Sequence, residues 1–241
     1  DEGGAVTEAE TLTYGAHPAQ VVELSRPSVA GPHPLAVLIH GGFWSSSYDR
    51  SLMRPLVPSL LEDGWAVANI YYRGVGHDGG GWPGTFDDVV AALDVLADAV
   101  DLDLARVCTM GHSAGGHLAV WVAGEEGRVT VRGAVSQAGV LDLVQSERDG
   151  LGGGAAAALL GGSPEAVPER YAAGSPIARV PLGLPVALVH GVEDRNVPLD
   201  QSRRYADAAA AAGDQVTLTE VPGDHFAIID PTTNAWRTCR E

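Results

Sequence analysis

Short apolar runs alternate along the chain with stretches whose apolar residues recur every three to four positions. That alternation of strand and helix periods marks a largely parallel sheet covered by helices. Residues 21–24 read as an early strand, and residues 35–39 as a buried central strand ending in His40-Gly41-Gly42. Helical periodicity covers residues 48–62 despite Pro55 and Pro58; a strand over 65–71 and a helix over 86–99 follow, with Thr85 as the expected N-cap. Residues 107–110 and 133–136 predict two more strands. From 142 to 181 the pattern loosens into glycines and prolines, with one short helical piece near 165–171. A strand over 185–190, an amphipathic helix over 199–212 and a strand over 216–221 come next. A last helix falls within 226–238, its start limited by Pro231.

A length of 241 residues with 45% hydrophobic content suits one domain over residues 1–241. The 142–181 segment is then a short, cap-like excursion over the C-terminal edge of the sheet, where open α/β sheets bind ligands. A formal charge of −16 argues against nucleic acid and anionic membrane surfaces as partners. No apolar run approaches the roughly 20 residues that span a bilayer. Asp1-Glu2-Gly3-Gly4 lacks the apolar segment of a signal peptide, so the cytoplasm is the expected compartment, with a processed secreted form as the alternative. Cys108 and Cys239 are expected to remain unbonded, Cys108 as a small buried hydrophobe. Two distant cysteines and no His-x-x-x-His pair leave no expected metal site, and no cofactor is required.

The chemistry concentrates in Gly111-His112-Ser113-Ala114-Gly115, which joins an apolar strand to a helix-like pattern. G-x-S-x-G in that context sets a serine on a strained elbow above the sheet edge, with the Ala114 amide aimed at the same point. Gly111 and Gly115 leave room where side chains would collide. A serine hydroxyl needs a base, and the base needs an orienting acid. His225, on a loop just after the last strand, is the expected base. His190 ends a strand and is expected to fix its turn, His117 to face away from the serine, and His112 to point elsewhere. Asp194, at a strand end and helix start, is the expected acid ahead of Glu193 and Asp224. The order Ser113, Asp194, His225 is that of the α/β-hydrolase arrangement. His40-Gly41-Gly42-Phe43-Trp44 supplies an anion trap, with the amides of Gly42, Phe43 and Ala114 as donors. Read alone, it is also an ordinary Gly-Gly turn.

His-Gly-Gly-Phe-Trp, Gly-His-Ser-Ala-Gly-Gly-His-Leu, His-Gly-x-x-Asp-x-x-Val-Pro and Gly-Asp-His-Phe together resemble the α/β-hydrolase superfamily. Within it the chain is most similar to small esterases related to arylformamidase (kynurenine formamidase) and to hormone-sensitive-lipase-type carboxylesterases. The resemblance runs from about Tyr14 to the C-terminal helix. It implies an α/β-hydrolase fold with a minimal cap, Ser113 as nucleophile, His225 as base, Asp194 as its partner and the anion trap at Gly42 and Phe43. Phe43 replaces the third glycine of the lipase branch, and the His-Gly-Gly-x-Trp form is the one associated with formamidases. The expected reaction is hydrolysis of small esters or amides through an acyl-enzyme, with peptidase, thioesterase or silent ligand-binding relatives as alternatives. Trp44, Trp82 and Phe226 are candidates to frame an aromatic or acyl pocket, although aromatics at loop ends more often pack as core. Arg73 reads as a structural partner for Asp87 or Asp88. Oligomeric state and leaving group are open.

Overall fold

The structure, a computed structural model, describes residues 9–241. The acidic start at Asp1-Glu2-Gly3-Gly4 lies outside the described residues. Eight strands form one sheet: β1 (Glu10–Thr13), β2 (Val21–Ser25), β3 (His33–Ile39), β4 (Ala66–Ile70), β5 (Leu102–His112), β6 (Gly133–Gln137), β7 (Val186–Gly191) and β8 (Val216–Val221). Their spatial order is β1-β2-β4-β3-β5-β6-β7-β8. β1 and β2 pair antiparallel, as do β2 and β4, and every later pair is parallel. The polar strand β1 carried no apolar signal and is an addition to the expected set.

The helices are α1 (Val57–Glu62), α2 (Gly84–Asp94), α3 (Ala114–Ala123), α4 (Leu143–Arg148), α5 (Ala155–Leu160), α6 (Pro168–Gly174), α7 (Asp200–Ala211) and α8 (Asn234–Arg240). Side chains along β3 alternate between two cores. Leu35, Val37 and Ile39 meet α2, α3, α7 and the cap segment, whereas Ala36 and Leu38 meet α1 and α8. The apolar runs are continuous because both faces are covered. Among the described residues no helix is long and apolar enough to cross a membrane.

Several expected elements are revised. The helix over 48–62 becomes two 3-10 turns, Arg50–Leu52 and Arg54–Leu56, and only then α1. Pro55 and Pro58 lack amide hydrogens and are suited only to the first turn of a helix, so each opens its own short helix and the α-helix starts late. Thr85 is not the N-cap of α2. It lies inside the first turn, where its hydroxyl donates to the Arg73 carbonyl and accepts from the Gly81 amide. Residues 142–181 hold three α-helices (α4, α5 and α6) instead of one helical piece. The alanine-rich α5 was hidden because glycines flank it on both sides. Cys108 and Cys239 are both free thiols; Cys239 is buried and Cys108 only partly so.

The chain runs from β3 outward to β4, then crosses back to place β5 on the other side of β3. That reversal opens a crevice between the C-terminal ends of β3 and β5, where ligands settle in open α/β sheets. Beside it, the carboxylate of Asp88 on α2 closes a polar knot. Its Oδ1 accepts from Gln20 Nε2 and Arg73 Nη2, both at 2.8 Å. Its Oδ2 accepts from the Arg73 amide at 2.8 Å and from Arg73 Nε at 2.9 Å. Of the two expected partners for Arg73, Asp88 is the one it takes. Removing a buried acid strands its donors, so Asp88→Ala is expected to cost on the order of 3 kcal/mol. A urea melt checks this: the midpoint drops with an unchanged m-value, and an unmoved midpoint refutes it.

Candidate active site

Ser113 sits between β5 and α3 with φ 57° and ψ −121°, a left-handed conformation that side-chain-bearing residues rarely adopt. Two close approaches permit the turn. A Cβ on Gly111 would lie 1.9 Å from the Gly115 carbonyl oxygen, and one on Gly115 would lie 2.0 Å from that of Ile39. All ten residues of α3 are buried, so the helix that follows is locked under the sheet edge. Among the described residues, Phe43, Trp44, Asp101, Ser113 and Ala138 are the non-glycine residues with positive φ. Four of them follow β3, β5 or β6 at the C-terminal edge, and such strain clusters at functional sites.

The loop after β3 passes directly beside the serine. A Cβ on Gly41 would stand 2.9 Å from Ser113 Cβ and 2.6 Å from the His112 carbonyl oxygen. The amides of Gly42, Phe43 and Ala114 donate to no protein acceptor among the described residues. Three orphan donors thus lie at one turn and one helix N-terminus, an arrangement with the capacity to bind an anion.

His225 is 4% exposed, and its Nδ1 donates to Asp194 Oδ2 at 2.6 Å. Its Nε2 has no protein hydrogen-bond partner among the described residues, the Ser113 hydroxyl included. The Asp194 side chain has no exposed surface, and its Oδ1 accepts from the amides of Asn196 at 2.8 Å and Val197 at 2.9 Å. His190 Nε2 approaches Oδ2 at 3.3 Å. Burial by itself raises the Asp194 carboxyl; the donors from His190, His225 and Val197 outweigh it and hold the group well below the usual carboxylate range. The alternative acids, Glu193 and Asp224, are exposed. Asp224 instead accepts from the amides of Phe226 and Ala227. Both nitrogens of His190 are engaged, Nε2 with the Val197 carbonyl at 2.9 Å and Nδ1 with the Ser202 hydroxyl at 2.8 Å, so it fixes the acid's turn.

His117, expected only to face away from the serine, is a junction of the site: its Nδ1 accepts the Trp44 indole N–H at 2.9 Å, and its Nε2 donates to the Gly174 carbonyl at 2.8 Å. The anion loop, α3 and α6 of the cap thereby meet at one imidazole. Trp44 has no exposed surface, which removes it from the pocket-framing aromatics. Its side chain serves the loop, not a ligand. Trp82 packs on Phe86 at 4.9 Å and lines an outer groove with Asp87, Val90 and Trp121. Phe226 alone of the three lies at the base, its ring 5.2 Å from that of His225 and 54% exposed. Residues not singled out beforehand include Tyr48, whose ring lies against Gly42, and Ser202, which orients His190.

The sheet order, the elbow after β5 and the loops at the switch point define an α/β-hydrolase fold, and solved structures share it. A truncated form of a carbohydrate esterase from gut microbiota superposes with a TM-score of 0.82 at 20% identity, covering 97% of this chain and 94% of that one. Est2, an esterase from Thermogutta terrifontis, does so with a TM-score of 0.78 at 21% identity, over 97% and 89%. Residues 23–208 match the BD-FAE family, and the chain belongs to that family. Esterase LipC of Mycobacterium tuberculosis is 28% identical over 88% of this chain and 58% of its own length. The chain therefore spans little more than half of that relative.

Burial depresses three of the imidazoles described above: His40 to about 4, His112 to about 3 and His117 to about 4, against an ordinary value of 6.5. Protonating His117 at Nδ1 would also set a donor against the Trp44 indole. The unfolded chain takes up these protons below its ordinary value while the native state does not, so stability falls as pH drops. The expected result is a melting temperature that declines from about pH 6.5 and keeps declining towards pH 4. Calorimetry across that window checks it, and a flat curve contradicts neutral buried rings.

Proposed function

We propose that the protein is a serine hydrolase that cleaves small carboxylic esters through Ser113, His225 and Asp194. The observation that carries this reading is the bond from His225 Nδ1 to the fully buried Asp194 carboxylate, beside a strained serine elbow ringed by free amides. His225 Nε2 takes the Ser113 proton as Oγ attacks the substrate carbonyl, and Asp194 stabilises the imidazolium. The amides of Gly42, Phe43 and Ala114 hold the tetrahedral oxyanion. Its collapse expels the alcohol, which leaves with the proton from His225, and an acyl-enzyme remains. Water, deprotonated by the same base, then releases the acid. The esterase names of LipC and Est2 support the class.

The His40-Gly41-Gly42-Phe43-Trp44 form supports a formamidase-like preference within that class. The cap of three short helices favours short-acyl or formyl substrates over emulsified fat. Phe226, exposed beside the base, is the residue best placed to meet an aromatic leaving group. The formal charge of −16 favours a small-molecule substrate over nucleic acid, and the proposed compartment is the cytoplasm.

Ser113→Ala is expected to abolish turnover of aryl acetates and aryl butyrates, by about a millionfold if it follows a measured serine protease. A fluorophosphonate probe is expected to label the wild type and spare His225→Ala; equal labelling of both would remove His225 as the base. The formamidase preference is checked separately in a panel that adds N-formylkynurenine and thioesters. It requires N-formylkynurenine to turn over faster than simple aryl acetates, and the reverse ranking rejects it while leaving the esterase reading intact.

A further inference from the structure

β5 carries the elbow and β8 leads to the base loop, but β6 and β7 lie between them in the sheet. No ladder bond therefore joins the loop that carries Ser113 to the loop that carries His225. One side chain spans the gap. His112 is the residue immediately before Ser113, is 2% exposed, and its Nε2 donates to the His225 carbonyl oxygen at 2.7 Å. Among the described residues that carbonyl accepts no other protein hydrogen bond. The two imidazole rings lie 4.4 Å apart, and the Phe226 ring closes the stack 5.9 Å from His112.

We propose that His112 is a positioning residue, a strut that sets the backbone of His225 against the nucleophile it precedes. This rests on the reading of Ser113 and His225 as nucleophile and base. Asp194 holds the base by its ring and His112 holds it by its main chain, so the imidazole is fixed at two points. Because the strut starts one residue from Ser113, elbow and base move together when the intervening strands shift. The chemistry of the residue suits the place. A carbonyl only accepts, so Nε2 carries the hydrogen, and burial keeps the ring neutral. The titratable groups facing it are His225, Asp194 and His190, and burial keeps it from competing for the proton that His225 gains. An arginine or lysine of similar reach would place a permanent charge beside the imidazolium.

The test compares His112→Phe, which keeps a packed ring without the donor, with His112→Gln, whose amide nitrogen restores a donor near the Nε2 position. Turnover of an aryl acetate, labelling rate with a fluorophosphonate and melting temperature are measured for both. A misplacement of about 1 Å can cost about 100-fold. His112→Phe is accordingly expected to lower kcat and labelling by about 10- to 100-fold with KM little changed, and His112→Gln to recover most of the loss. Assays run well below the lower melting midpoint keep both variants folded. The strut is rejected if His112→Phe keeps kcat within about twofold of wild type, or if His112→Gln does no better than Phe. Full turnover in Ser113→Ala or His225→Ala would instead sink the reading on which the proposal stands.

Discussion

The backbone reversal at Ser113 organises the rest of the molecule. A φ of 57° on a residue with a side chain costs on the order of 1–3 kcal/mol, and it persists only where the surroundings over-determine it. Here they do. α3 is buried along its whole length and pinned by the two hydrogen bonds of His117, so it cannot rotate or lift away. Its first turn presses on the β3 carbonyls through Gly115, and Gly41 presses back on Ser113. The strain is held by packing, at the crevice where the sheet order reverses.

Loops at the end of a parallel sheet gain nothing from the ladder, since the strands have already ended. This protein joins them with buried imidazoles. His117 ties the anion loop to the cap, His190 ties the acid's turn to α7, and His112 ties the elbow to the base loop. A neutral imidazole offers one donor and one acceptor at a fixed separation, and burial disfavours a second proton. The ring is a rigid connector where protein groups take up its nitrogens, both of them in His117 and His190 and Nε2 in His112. His225 differs in keeping Nε2 without a protein partner among the described residues.

The period-2 and period-3.6 patterns located the strands from β2 to β8 and the helices α2, α6 and α7 within about five residues, because buried strands and amphipathic helices write burial directly into residue type. α8 starts well inside its expected range, and α4 has no counterpart among the expected helices. Where local chemistry competes with burial, the pattern misled. Pro55 and Pro58 interrupt an apolar period that otherwise reads as one long helix, and Thr85 has the composition of a cap but spends its hydroxyl on Arg73 and Gly81. α5 consists of alanine and leucine between glycines, so no polar face marks it as a helix.

The order of Ser113, Asp194 and His225 along the chain, the glycines at 111 and 115, and the Gly-Gly turn after β3 are local features that the sequence alone made readable. Each depends on a few neighbouring residues and a steric need that any fold would impose. The meeting of Asp194 with His225, the burial of Trp44, and the bonds made by His112, His117 and His190 belong to tertiary structure. These contacts link residues up to 113 positions apart. Which of eight similar imidazoles becomes a base or a connector is decided by what stands opposite each nitrogen, and no stretch of sequence contains that information.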